Sequence, residues 1–265
     1  MVRFAPLNDN AITLKSAREI ELMRESARRL KLLVRDLIEF TKPGLTAKEI
    51  DTYAGKRCRE YEVTSGAYGY GGGKNRFPGY ICISINDVVV HGIPGPQRIE
   101  DGDIVSLDVA VSHKGYFSDT AITIPIGDVS EEKLRLLDVC EKALYAGIAE
   151  AKAGNRLTDI GHAIQEYTEA NGMNVVRDFV GHGIGRAMHE PPQVPHHGEP
   201  GHGPLLRPGM VICIEPQVVL GSPKIKFLAD GWTAVTADGS LSAHFEHTVA
   251  ITPGGPQILT EHREN

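Results

Sequence analysis

Cysteine is scarce in this chain: there are four in 265 residues, Cys58, Cys82, Cys140 and Cys213, and no two share a CxxC spacing. That excludes a zinc knuckle and a disulfide scaffold and leaves reduced thiols as the expectation. Basic residues are in the minority, 28 Lys and Arg against 34 Asp and Glu, for a formal net charge of −6. No stretch concentrates them into a track for a phosphate backbone, so no direct nucleic-acid site is expected. Long apolar runs are missing as well. Residues 1–14 lack the apolar core of a signal peptide, and no uninterrupted run is long enough to cross a bilayer, so a soluble, cytoplasmic protein without membrane contact is expected. Glycine is gathered at residues 66–79, but this stretch has neither the GxxxxGK[ST] pattern nor a following helix, which excludes a phosphate cradle.

What is present fits one large α/β or β-rich unit, or two fused halves. Ser16 and Glu19 form a capping box ahead of Ile20, Met23, Ala27, Leu30, Val34 and Leu37 at helical spacing, ended by Pro43-Gly44. Thr46 and Glu49 open a second helix running to about Tyr61, and a loop follows. Residues 81–126 are β-branched and alternating, with turn signals at Ile93-Pro94-Gly95, Asp101-Gly102 and His113-Lys114-Gly115, which predicts antiparallel strands. Helical periodicity returns over 130–152 and again over 158–170, and strands and loops follow to Ile258.

The order helix, helix, strands therefore occurs twice, and the two halves share short matches. The run from Asp101-Gly102 to Asp108 matches that from Pro208-Gly209 to Glu215, a turn glycine followed six residues later by a carboxylate. Asp119 and Glu246 each head an apolar strand, allowing a two-residue slip. Val90-His91-Gly92-Ile93 resembles Gly181-His182-Gly183-Ile184. Asp108 and Glu215 interrupt apolar runs, where an isolated charge would cost several kcal/mol or take up a proton. If His113-Lys114-Gly115 closes a hairpin, Asp108 and Asp119 lie nearly opposite, and like charges there repel unless a cation separates them. Any one such carboxylate is explained by hydrogen bonds or an arginine partner. Four at duplicated positions favour metal. Oxygen-rich ligation suits Mn, Co, Fe or Zn, and two bridged ions roughly 3.5 Å apart lower the pKa of a shared water to about 7, so hydroxide is available for amide hydrolysis. His91, His182 and His189 lie in glycine- or proline-rich loops suited to a site, whereas His162 falls within a helix and reads as a packing residue.

With Val90-His91-Gly92-Ile93-Pro94, Asp108, Asp119, the run from Gly181 to Arg186 with His189-Glu190, Glu215-Pro216 and Glu246-His247-Thr248 in hand, the chain closely resembles the type I methionine aminopeptidases from Ser16 onward. The resemblance implies the α/β (α+β) pita-bread fold, a duplicated antiparallel sheet with pseudo-twofold symmetry flanked by helices. It sets residues 1–15 apart as an extension, with one catalytic domain over 16–265 in halves of about 16–127 and 128–258. It implies two divalent metal ions, Asp108 and Asp119 on one, His182 and Glu215 on the other, with Asp119 and Glu246 bridging. Their shared hydroxide would attack the scissile carbonyl.

Carried over in the same way, Glu215 moves the proton from the attacking water to the leaving amine, His189 donates to the carbonyl oxygen, and His91 contacts the scissile nitrogen or the substrate backbone. Tyr70, Phe77, Cys82, Met188 and Trp232 form a pocket for the methionine side chain, and Asn86, Val88 and Ser242 match a monovalent-cation site. Met188 stands where many relatives carry an aromatic, and the loop 71–76 looks expanded. The implied substrates are nascent polypeptides with N-terminal methionine and a small second residue, met by a monomer in transient contact with the ribosome. The proline-specific pita-bread peptidases share the ligands but usually carry a further N-terminal domain.

Overall fold

Ser16 starts the first helix, α1 (Ala17–Phe40), as its spacing to Glu19 predicts: its hydroxyl accepts the Glu19 amide while the Glu19 carboxylate accepts the Ser16 amide at 2.9 Å. Thr46 and Glu49 repeat the arrangement at α2 (Ala47–Glu60). Each box satisfies amides that a helix start leaves without intrahelical partners, typically worth about 1 kcal/mol. Ser130 caps α3 (Glu131–Glu150). The fourth helix, α4 (Leu157–Ala170), begins one residue before the predicted Thr158, with Arg156 at its cap. There the Leu157 and Thr158 amides donate to the Pro204 and His202 carbonyls at 3.0 and 3.3 Å, so a loop distant in sequence satisfies the helix start. These elements belong to a computed structural model that describes residues 11–72 and 75–261. Most of the predicted 1–15 extension, residues 1–10, and two residues of the 71–76 loop, 73 and 74, lie outside the described residues.

Among the described residues the main sheet has nine strands. Seven run in the order Thr64–Ser65, Ile104–His113, Tyr116–Pro125, Glu246–Thr252, Val211–Ile214, Gly181–Gly183 and Glu190–Val194; Cys82–Ile85 and Gly255–Ile258 pair alongside. Each pairing is antiparallel. Alternation along the strands decides what each face buries. Val105, Leu107, Val109 and Val111 pack with Leu30, Leu33 and Val34 of α1 and Ile50 and Ala54 of α2. Ile212, Ile214, Val249 and Ile251 pack with Leu136, Cys140 and Leu144 of α3 and Ile160 and Ile164 of α4. Each half thus buries one face of its central strand pair under its own helix pair, at about 1.5–3 kcal/mol for each large side chain. Asp108 and Ala110 in one half, Glu215 and Glu246 in the other, are left to the opposite face.

The duplication is visible in hydrogen bonds. The Gly102 amide donates to Ile126 O at 2.8 Å and the Gly209 amide to Ile251 O at 3.0 Å, both glycines with positive φ. Leu107 pairs with Ile122 as Ile214 pairs with His247. By that register Glu246 stands where the first half has Ala121, and Asp119 sits two residues along on the same face. The two-residue slip is therefore a real offset of the second strand.

Candidate metal centre

Lys114 and Gly115, both in the left-handed region with φ of 50° and 76°, form the two-residue turn between the Ile104–His113 and Tyr116–Pro125 strands. Two successive positive φ values suit the right-handed twist of the strands they join. The resulting register pairs Asp108 with Ala121 and Asp119 with Ala110, which sets the two carboxylates diagonally on one face. The Tyr116–Pro125 strand meets Glu246–Thr252 at the junction of the halves, with Ala121 opposite Glu246 and Thr120 opposite His247. Threonine hydroxyls reinforce this junction. Thr248 Oγ1 accepts the Asp119 amide at 3.0 Å and donates to Asp119 O at 2.8 Å, and Thr120 Oγ1 donates to Glu246 O at 2.7 Å.

The Gly181-His182-Gly183 motif has a steric cause. A Cβ on Gly181 would lie 2.2 Å from Cys213 O, and one on Gly183 2.1 Å from Pro191 O. Glycine on either side lets three strands close around the imidazole. His182 Nδ1 lies 2.9 Å from the Gly183 carbonyl oxygen, which can only accept, so the proton is on Nδ1. Nε2 then faces the carboxylates, 3.6 Å from Glu215 Oε1 and 4.0 Å from Asp119 Oδ2. A backbone carbonyl holding one ring nitrogen is how metal-ligating histidines are commonly oriented.

Burial raises the pKa of all four carboxylates. Asp108 is pushed up to about 6 by burial. Asp119 is raised by burial and by the Asp108 charge, Glu215 by burial and by Asp119 and Asp108, and Glu246 by burial and by Asp119, Glu215 and Asp108. Asp119 Oδ1 and Glu246 Oε1 are buried without a hydrogen-bond partner. Buried carboxylates that repel each other, two of them with an oxygen that no donor reaches, beside a neutral imidazole turned toward them, fit divalent cations. One atom from each of Asp119, His182, Glu246 and Cys213 lies within 4.8 Å of the others. Cys213 is the member that sequence reading left as an ordinary thiol. Burial and the neighbouring Glu246, Asp119 and Glu215 charges push its pKa well up, and it packs with Val211 and Ala250. Its Sγ lies 3.7 Å from Thr248 Oγ1 within that packing, whereas the carboxylates and His182 line the cavity, so they are the better donor set.

The residues that the sequence assigned to catalysis and to the methionine pocket reach the same cavity, whereas Asn86, Val88 and Ser242 do not line it. His91 and His189 line it with the five proposed ligands, and so do Tyr70, Phe77, Cys82, Met188 and Trp232. Phe77 and Trp232 meet edge to face with ring centroids 5.4 Å apart, and Cys82, Ala67 and Tyr70 complete that apolar cluster. His91 follows the Val88–Val90 strand with a φ of 58°. It therefore differs in backbone from His182, which lies within a strand, although the two short motifs match. Burial lowers the pKa of His91 and His182 to about 4, and burial with His182 and His91 lowers that of His189 to about 2, so all three are neutral at pH 7. His162 stands apart, on α4, with Nδ1 3.1 Å from Gly198 O.

The sequence did not point to the groups around Glu215. His196 Nε2 accepts the Glu215 amide at 3.1 Å, Gln217 Nε2 donates to Glu215 Oε2 at 3.3 Å, and His244 Nε2 is 3.9 Å from the same oxygen. Gln217 and His244 each sit two residues from a proposed ligand, and that spacing is the one signal that was available. His196 arrives from the 195–210 loop and carried none. Ala67 and Ala110, also on the cavity wall, look in sequence like any small core residue.

The chain matches the model of metallopeptidase family M24 over residues 21–253. It belongs to metallopeptidase family M24. This M24 chain is 50% identical over 249 residues to a methionine aminopeptidase of Clostridium perfringens, covering 94% of this chain and 98% of that protein. It is 47% identical to methionine aminopeptidase 1 of Bacillus subtilis, again covering 94% of this chain and 99% of the relative. The crystal structure of methionine aminopeptidase from Rickettsia prowazekii superposes with a TM-score of 0.91 at 35% identity, covering 94% of this chain and 100% of that one. The expected pita-bread fold is therefore the fold of this M24 member, and M24 membership makes it a metal-dependent peptidase.

Proposed function

We propose that this M24 enzyme removes N-terminal methionine from nascent polypeptides and peptides, preferring a small second residue. One observation carries the reading: the carboxylates and His182 share a single cavity with the apolar wall of Phe77, Trp232 and Met188, so a buried thioether side chain is placed beside the reactive groups. Apolar, polarisable walls of this kind suit methionine. The high identity to methionine aminopeptidases over almost the whole chain supports the same reading.

In this reading Asp108, Asp119, His182, Glu215 and Glu246 are the residues that would hold the divalent metal. When bound, such ions supply Lewis acidity and an activated water at neutral pH. Glu215, starting as the carboxylate, would accept the proton of the attacking water and deliver it to the departing amine, and the burial that raises its pKa strengthens it as the base. Tyr70 Oη is 2.7 Å from His189 Nδ1. In this reading the Tyr70 hydroxyl, whose pKa burial raises, donates to Nδ1, and the His189 proton is carried on Nε2. This tautomer can donate to the carbonyl oxygen as negative charge develops, a contribution of several kcal/mol in comparable sites. His91, also neutral, contacts the scissile nitrogen. Asn86, Val88 and Ser242 would hold a monovalent cation; the Ser242 amide donates to Asn86 O at 2.9 Å, and among the described residues Ser242 Oγ is buried without a partner. We assign the enzyme to the cytoplasm as a monomer in transient contact with the ribosome. Among the described residues no helix is long and apolar enough to cross a membrane.

The test is release of free methionine from Met-Ala-Ser and Met-Pro-Ala by metal-stripped enzyme before and after addition of Mn or Co, with the dipeptide Gly-Pro as control. Metal-restored methionine release with Gly-Pro untouched is expected. Cleavage of Gly-Pro would move the chain to the proline-specific branch, and no cleavage under any metal would overturn the reading.

A further inference from the structure

Glu190 follows His189 directly and opens the Glu190–Val194 strand, yet its carboxylate turns back toward the segment ahead of α1. Glu190 Oε2 accepts from Lys15 Nζ at 2.7 Å and from Thr13 Oγ1 at 2.9 Å, while Oε1 accepts from the Ala187 amide at 3.1 Å. Lys15 also donates from Nζ to Thr13 Oγ1 at 2.6 Å, and its amide donates to Gly209 O at 2.7 Å. Lys15 is buried and Glu190 partly so, with 6% of the Lys15 side chain and 13% of the Glu190 side chain exposed. Nearer the start of the same loop, the Arg186 guanidinium lies 4.6 Å above the Tyr116 ring, and the Gly185 carbonyl accepts the Phe117 amide at 2.8 Å. Met188 and His189, both on the cavity wall, are suspended between these two anchors.

Lysine and glutamate are rarely buried unless paired, and a buried pair adds little net stability over an apolar contact of the same shape. What it does add is direction. One carboxylate oxygen fixes the loop's own backbone and the other fixes a lysine that is itself anchored to the sheet through Gly209. We infer that Lys15 and Glu190 are positioning residues: they hold the loop 185–190 so that His189 meets the substrate carbonyl and Met188 closes the wall of the side-chain pocket. The inference rests on the proposed role of His189. A donor displaced by about 1 Å can cost on the order of a hundredfold in rate, so the clamp acts on turnover through His189.

The experiment is a double-mutant cycle on the full, metal-loaded chain, with kcat and KM measured for Met-Ala-Ser at a temperature where circular dichroism shows every variant folded. His189→Ala is expected to lower kcat by about a hundredfold or more. Lys15→Met should lower kcat by about 10- to 100-fold with KM changed by less than about threefold, and Lys15→Arg should recover most of that loss. In the His189→Ala background Lys15→Met should add less than about a twofold loss, because the group it positions is gone. Glu190→Gln provides a second route to the same result if Lys15→Met folds poorly. Full turnover in Lys15→Met and Glu190→Gln, or losses that multiply with that of His189→Ala, would overturn the inference while leaving His189 in its role. A fully active His189→Ala variant would instead remove the role of His189 itself.

Discussion

Glu246 is 2% exposed, and one of its oxygens has no hydrogen-bond partner. For a residue whose only purpose was packing, a leucine or glutamine would serve better, since a buried charge without a counter-charge is costly. Glu246→Gln keeps the shape and removes the charge. We expect it to abolish methionine release while the metal-free variant melts no lower than the metal-free parent; calorimetry beside a methionine assay checks both. A variant with full turnover would sink the assignment of Glu246 as a ligand. Asp119, with its own orphaned oxygen, invites the same test.

At the scale of elements, the junction between the two strand pairs is the feature on which the site depends. The pairing there is short, and Thr248 compensates by exchanging two hydrogen bonds with the Asp119 backbone. Thr248→Val keeps the volume and deletes both bonds, leaving a buried amide and a carbonyl unpaired at about 1–3 kcal/mol. A chain of this size loses roughly 2–4 °C in Tm for each kcal/mol. Isothermal titration should also show weaker binding of divalent metal, because the strand that presents Asp119 is less firmly held. An unchanged Tm and an unchanged titration would show that the threonines are incidental. Two of the four helix starts, at Ser16 and Thr46, were legible as capping boxes because a capping box is a three-residue relation. The α4 start was misplaced by one residue because its amides are satisfied by Pro204 and His202, beyond the reach of local spacing.

At the scale of the whole molecule, metal affinity, protonation and stability are linked. A divalent ion at a hundred times its Kd adds about 2.7 kcal/mol to the folded state, roughly 5–10 °C here. The folded-state pKa of Asp108 is about 6, above its ordinary 3.8. In the metal-free protein its contribution is therefore fully present below about pH 4 and lost as pH rises through about 6. The burial that lowers the His182 pKa to about 4 acts in the opposite sense, a contribution present above 6.5 and lost as pH falls through about 4. Metal bound by the proposed ligands must displace protons from both kinds of group as pH falls. The Tm gap between metal-loaded and metal-stripped protein should thus be widest near pH 8 and narrow toward pH 5, as differential scanning calorimetry in matched buffers would show. A gap independent of pH would contradict ligation by these carboxylates.

The sequence alone determined the helices, the hairpin at Lys114-Gly115, the twofold repeat and the carboxylates set in apolar strands, because each is written as a local period or a short spacing. Most of the residues that line the cavity were legible too, Ala67 and Ala110 excepted, chiefly through resemblance to a family whose motifs stand intact here. Only the tertiary structure decided the rest: that Glu246 registers with Ala121 while Asp119 stands two residues along, that His196, Gln217 and His244 gather around Glu215, and that Lys15 reaches Glu190. Those are contacts between segments up to 175 residues apart. Nothing in a one-dimensional pattern encodes them, because they form only when two separately packed halves are brought edge to edge and their buried polar groups find one another.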